Sequence, residues 1–308
     1  MLTAMPLDNF PSMPATCPRP PAWARGTADD GLADAALRAG AALALVDQAV
    51  RQDTPWRGAW LDRLALDAAA ASLRLLRRPV DVAEIRDAHQ LCRPGDDPGP
   101  AGRVYALWRR LATHRPSLDA EDVAHAAERS GIAWTDELEA IRAAAEDVAP
   151  GATPLSAALT LLTAHRVERL EALPVLLLLA DTLLARRAGW PLGVPLLARA
   201  SGPLTRGDAT ADDGRRALAT YARAALGALD SARAIADQAA VLQGVACRLR
   251  AKGAPAVVAA LLGQDAVGPG LRVRGLSDRG LRRMFDRLST LGAVRELTGR
   301  ASFRLYGL

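Results

Sequence analysis

Arg279, Arg282, Arg283 and Arg287 recur at helical spacing near the end of the chain, and they offer its clearest chemistry. Residues three or four apart share one face of a helix, so these guanidinium groups would line one side. A guanidinium presents planar, paired N–H donors that match phosphate oxygens. Arg300 and Arg304 come next, on what reads as a hairpin. These six arginines are the candidate contacts to double-stranded DNA, four on a helix facing phosphates or a major groove and two on a wing. Charge agrees: residues 247–308 hold twelve Lys or Arg against four Asp or Glu, a net +8. The whole chain carries +5, which leaves −3 for residues 1–246. A basic end on a nearly neutral body is the asymmetry of a phosphate-binding appendage. Arginine is also abundant throughout, since Lys252 is the sole lysine among 39 basic residues. Part of the basic character therefore reflects composition rather than phosphate binding.

Two weaker constellations compete with this one. Asp96 and Asp97 stand in a Gly- and Pro-rich stretch between Arg93 and Arg103. Paired carboxylates on a stiff loop could hold Mg²⁺. The preferred reading is a proline-stiffened connector in which Asp97 or Pro98 begins the next helix, because turn chemistry alone accounts for Gly, Pro and Asp. His89, His114, His125 and His165 form no H-x-x-x-H or H-E-x-x-H pair. There is no G-x-S-x-G, no P-loop and no G-x-G-x-x-G after a strand. No catalytic residue, metal site or cofactor is expected, and the balance leans away from an enzyme. Trp108-Arg109-Arg110 and Arg186-Arg187 with Trp190 set cations beside aromatics. They could stack on a base; the favoured reading is Trp in the core and Arg at a helix end.

The elements that must position these groups are almost all helices. Leu276-Ser277-Asp278 marks a helix start, with Ser277 as N-cap and Leu276 and Leu281 as a hydrophobic staple. Leu281, Met284, Phe285, Leu288 and Leu291 make one apolar stripe, and Gly292 ends it. Residues 294–297 and 302–306 are rich in strand formers and flank a turn at 298–300. This order is what the end of a winged helix-turn-helix looks like, with one departure. Thirteen residues, 263–275, separate the preceding helix at 255–262 from the staple, where a helix-turn-helix has a turn of about 3–4 residues. The first helix of the pair is short, hidden in the Gly/Pro-rich stretch, or absent.

Upstream, Thr27 to Asp30 resembles a capping box ahead of a helix at 32–50. Pro55 is expected at the first position of the helix that includes 60–76, and Asp81 caps 82–91. Residues 93–102 read as a loop, 103–113 as helix, 120–130 as a helix capped by Asp119, and 136–148 as helix. Helices at 154–164 and 167–187 form an antiparallel pair, 191–207 is looser, and 212–249 is one long helix or two. The run 173–184, broken by Asp181, is too short to span a bilayer and reads as a buried core helix.

Composition narrows the class. Half of the 308 residues are hydrophobic and only 4% are aromatic, with Ala and Leu dominant, which suits closely packed helices. Cys17, Cys92 and Cys247 are far apart and odd in number, so neither a disulfide framework nor a zinc cluster is expected, and a reducing cytoplasm is the natural setting. No secretory signal is evident at the start. The expected organisation is mainly α: a proline-rich flexible tail at 1–23, an all-α body at 24–250 with a break near 149–154, and a small C-terminal winged-helix-like module at 251–308 built of helices plus a two-stranded hairpin. The expected partners are double-stranded DNA, a second copy or another protein, and no membrane.

Three blocks carry a family resemblance: the segment 60–66 with the 94–103 loop, the segment 183–191 (LLARRAGWP), and 249–254 with the tail 285–308. Together they resemble the bacterial family known as domain of unknown function DUF1403, over nearly the whole chain after the proline tail. The resemblance implies no particular activity. The stretch 291–300 (LGAVRELTGR) also looks like the winged-helix end that comes after the catalytic domain in Fic-type proteins. Those carry an H-P-F-x-[DE]-G-N-G-R loop, whereas here His165 precedes Arg166-Val167 and no G-N-G-R occurs. The expectation is a non-catalytic helical protein with a DNA-contacting module in a regulatory or plasmid-associated role. The alternatives are a protein-interaction module and a catalytically degenerate Fic-like scaffold.

Overall fold

Small side chains set the spacing of the helices. The computed structural model describes residues 17–26, 31–93, 95–165, 167–204, 211–249, 251–268, 270–298 and 303–308. Among them the chain is mainly α, with one two-stranded hairpin. The first helices are α1 (Leu32–Arg51), α2 (Arg57–Leu75), α3 (Val82–Gln90), α4 (Gly99–Thr113), α5 (Ala120–Arg129) and α6 (Asp136–Asp147). Next come α7 (Pro154–Ala164), α8 (Leu173–Ala188), α9 (Leu197–Leu204), α10 (Ala211–Ala246), α11 (Ala254–Gly263) and α12 (Asp278–Thr290). The hairpin strands are β1 (Arg295–Glu296) and β2 (Tyr306–Gly307), paired antiparallel.

α2 is the central rod. It packs against α4, α3, α9, α10 and α11. Ala59, Ala65 and Ala68 to Ala71 are buried along it, and such small residues let neighbouring backbones approach. Gly58 shows how closely: a Cβ there would lie 2.5 Å from the carbonyl oxygen of Gly263, so α2 meets the end of α11 backbone to backbone. Trp60 and Trp108 plug the core and satisfy their indole N–H groups. Trp60 donates to the Ala228 carbonyl at 2.9 Å, and Trp108 to Ser72 Oγ at 2.9 Å. α1 lies along α10, and α7 packs on α8. α8 is buried from Leu173 to Ala185, a core helix as its apolar run implied. No described helix is long and apolar enough to cross a membrane. Cys17, Cys92 and Cys247 are free.

Local signals hold where the chemistry is local. Asp81, Asp119, Thr153 and Ser277 accept backbone N–H bonds at their helix starts. Residues 211–246 form one helix. Four details differ from expectation. Thr27 to Asp30 lie outside the described residues, and α1 starts at Leu32 behind Gly31, which offers no side-chain cap. Pro55 sits in a turn ahead of α2, where Arg57 N–H donates to the Thr54 carbonyl at 3.1 Å, rather than at the helix's first position. α4 begins at Gly99, inside the supposed loop, because Asp97 accepts from Gly99 N–H at 2.9 Å and nucleates it there. α8 begins only at Leu173, where Pro174 fits the first turn.

The looser region after Pro191 contains α9, whose start is capped from another helix. Both carboxyl oxygens of Asp181, fully buried on α8, accept from Leu196 and Leu197 N–H, at 3.0–3.3 Å. Burial pushes this carboxyl well above the ordinary range, although the two N–H donors favour its charged form.

Candidate nucleic-acid interface

α12 is a two-faced helix. Ser277 Oγ accepts from Gly280 N–H at 3.2 Å, and Gly292 ends the helix in the left-handed region at φ 67°. Leu281, Met284, Phe285 and Leu288 are buried on one side. Arg279, Arg282, Arg283 and Arg287 are exposed on the other. At about 100° per residue they cover an arc of roughly 140°. None of the four pairs with a carboxylate among the described residues. Asp286 lies within the same arc and subtracts one charge. Asp278 in the first turn is held by Arg272 at 2.7 Å.

The hairpin fixes where α12 sits. Arg295 pairs with Gly307 and Glu296 with Tyr306. Tyr306 also exchanges both backbone bonds with Val267, at 2.8 and 2.9 Å. Its ring stacks on Phe285 with centroids 4.5 Å apart. A third backbone segment thus edges the hairpin, and the aromatic stack ties it to α12. The paired strands are shorter than the 294–297 and 302–306 expected, although Leu297 N–H still reaches the Leu305 carbonyl at 2.8 Å. Among the described residues no helix lies between Gln264 and Ser277. The first helix of a helix-turn-helix is therefore absent there, because Val267 is drawn into extended pairing. Arg304 lies on the hairpin 3.6 Å from Glu296, so it is engaged where the helix arginines are not. Arg300 lies outside the described residues.

A buried polar cluster ties the segment after α11 and the end of the hairpin to α2, α3 and α4. Asp265, just past α11, is 1% exposed. Its carboxylate receives Arg63 on α2 and, at 2.6 Å, Arg86 on α3. Its backbone N–H donates to Asp62 at 3.0 Å. Asp62, itself 2% exposed, accepts from Tyr105 at 2.7 Å and from Arg109 at 2.9 Å. Arg63 also donates to the Leu308 carbonyl at 3.0 Å. Removing one member of such a set leaves a buried charge without its partner, which is the costly case. Sequence reading missed this cluster. The only local hint is Asp62-Arg63 inside an otherwise apolar helix; the partner Asp265 lies some two hundred residues on.

The remaining candidate residues are also accounted for. Asp97 binds Arg103 and accepts from Gly99 N–H at the start of α4, while Asp96 is exposed. Trp190 is buried and donates to Asp47 at 2.8 Å. Arg187 donates to the carbonyls of Val148, Ala149 and Pro150 at the end of α6. Trp108 is in the core, and Arg109 and Arg110 bind Asp62 and Asp122.

Fold and site thus define a mainly helical chain ending in a small helix-and-hairpin unit with a basic outer face. The chain belongs to the family described as "Protein of unknown function (DUF1403)", which matches residues 11–308. No curated protein matches it.

Proposed function

We propose that α12 and the hairpin form a winged-helix-like module that contacts double-stranded DNA through phosphate groups, and that the helical body carries it without catalysing a reaction. The observation that carries this reading is the exposed face of α12. Four arginines share it with no ion pair among the described residues, opposite a face packed into the core. The order helix, extended segment, helix, hairpin suits a winged helix with one helix missing. With no side chain tied to a base-reading geometry, binding is electrostatic and weakly selective for sequence. Fluorescence anisotropy with a labelled random duplex at low salt tests this. Binding that weakens in the Arg282→Ala/Arg283→Ala variant is expected; no binding at low salt would refute it.

One observation favours a protein partner instead. Phe303 and Leu291, at the same end of the molecule, are large and exposed, at 66% and 44%. A stoichiometric protein that co-purifies free of nucleic acid, and is lost in Phe303→Ser, would establish that reading.

A further inference from the structure

A cavity of about 500 Å³ opens between α3, the connector before α4, α4 itself and α5. Its size lies within the range of small-molecule sites, about 300–1,000 Å³. It is separate from the exposed face of α12. Arg103, Arg109, Arg110 and Arg129 line it, together with His89 and His125. Asp96 and Asp97 are its only carboxylates among the described residues, and Asp97 is already bound by Arg103.

Donors remain for a ligand. In its ion pair with Asp62, Arg109 uses only Nε. Arg110 uses one terminal nitrogen on Asp122. Arg129 makes no ion pair among the described residues. Arg109 also meets the Tyr105 hydroxyl, but each guanidinium has five N–H groups in a fixed fork, which is more than these contacts use. His89 closes the inner end, edge-on to Tyr105 with centroids 4.8 Å apart. Burial, helped by the neighbouring Arg109, pulls its imidazole below the ordinary value, so it is neutral near pH 7. A neutral ring adds one donor and one acceptor without a further charge. Ala106, Leu107 and Ala126 supply an apolar wall.

We propose that this cavity binds a phosphate group, free or carried on a small organic molecule of nucleotide size. Several guanidinium groups lining one cavity favour a compact dianion with several acceptor oxygens. The apolar wall offers a surface for an organic carrier.

Isothermal titration of the full chain at low salt, with inorganic phosphate, AMP and adenosine as probes, tests this. Phosphate or AMP is expected to bind one to one, and adenosine to bind far more weakly. The tighter of phosphate and AMP identifies the source. Arg129→Ala, at an exposed position that leaves the core intact, is expected to weaken binding at least about tenfold, the loss of one hydrogen bond to a charged group. His125→Ala, also exposed, should weaken it less. Arg282→Ala/Arg283→Ala should bind the probe as the unaltered chain does, which separates this site from α12. Absence of binding by both phosphate and AMP, binding undiminished in Arg129→Ala, or binding lost in Arg282→Ala/Arg283→Ala would each overturn the proposal.

Discussion

The carboxylate-bound arginines of the preceding helices and the arginines of α12 live in opposite circumstances. In the body, Arg63 and Arg86 close on the buried Asp265, Arg109 on the buried Asp62, and Arg142 on Glu139 and Glu146. On α12, Arg279, Arg282, Arg283 and Arg287 face solvent on one side of a helix whose other side is core. The residue type is the same and the composition supplies it everywhere. What differs is the supply of carboxylates within reach. A guanidinium on a buried carboxylate is part of the scaffold, and its removal costs folding. An unpaired one on an exposed face costs the fold almost nothing, so it is available to a ligand's phosphates.

The comparison can be broken most forcefully at its scaffold side. Asp265→Ala strips the shared partner from two guanidinium groups, one of them nearly buried, and should lower unfolding free energy by about 3–5 kcal/mol in urea titration. A loss under about 1 kcal/mol would mean that the cluster is solvated and that the two sets of arginines do not differ.

A second prediction concerns Asp181. Its carboxyl is raised above 3.8 when folded, so the folded chain holds a proton that the unfolded chain has released. Between those two values the folded state binds more protons, and Asp181's contribution to stability falls as pH rises. Asparagine does not titrate. Asp181→Asn should therefore gain on the unaltered chain as pH climbs from about 4 toward neutrality, measured as the difference in melting temperature. A difference independent of pH would contradict the buried, protonated assignment.

Tyr221 offers a smaller effect. Its hydroxyl is buried without a hydrogen-bond partner among the described residues. Removing an unsatisfied polar atom is close to neutral or stabilising, so Tyr221→Phe should leave the melting temperature unchanged or slightly higher. A clear drop would reveal a partner for the hydroxyl. The smallest expected change in stability is for Arg282→Ala/Arg283→Ala, within about 0.5 kcal/mol, as for exposed positions generally. That near-neutrality makes the variant usable for binding measurements.

The cysteines sharpen the contrast between inside and outside by another route. Burial pushes the Cys17 thiol up to about 11, while Cys247 is exposed. A thiol reagent at pH 7.4 should label the exposed Cys247 faster than the half-buried Cys17.

The legibility of the sequence has the same physical basis. Ser277, Gly292 and the apolar stripe of α12 act within a few residues of one another, so their spacing alone placed the helix and its basic face. Asp81 and Asp119 were legible for the same reason. The start of α9 was not, because its cap, Asp181, comes from α8. Nor was the anchor at Asp62 and Asp265, or the cavity assembled from α3, α4 and α5, since each depends on residues distant in the chain. The hairpin showed in its strand formers, but the pairing of Val267 with Tyr306, where a first helix could have stood, is a contact between separated segments.

The salt dependence of DNA binding tests the central contrast most directly. Each phosphate neutralised contributes about −0.9 to the slope of log affinity against log salt concentration. Replacing Arg282 and Arg283 by alanine should make that slope shallower by about 2, while replacing Arg78 and Arg93, exposed arginines of the body, should leave it unchanged. Equal slopes for both variants, or a greater loss from the body pair, would contradict the account.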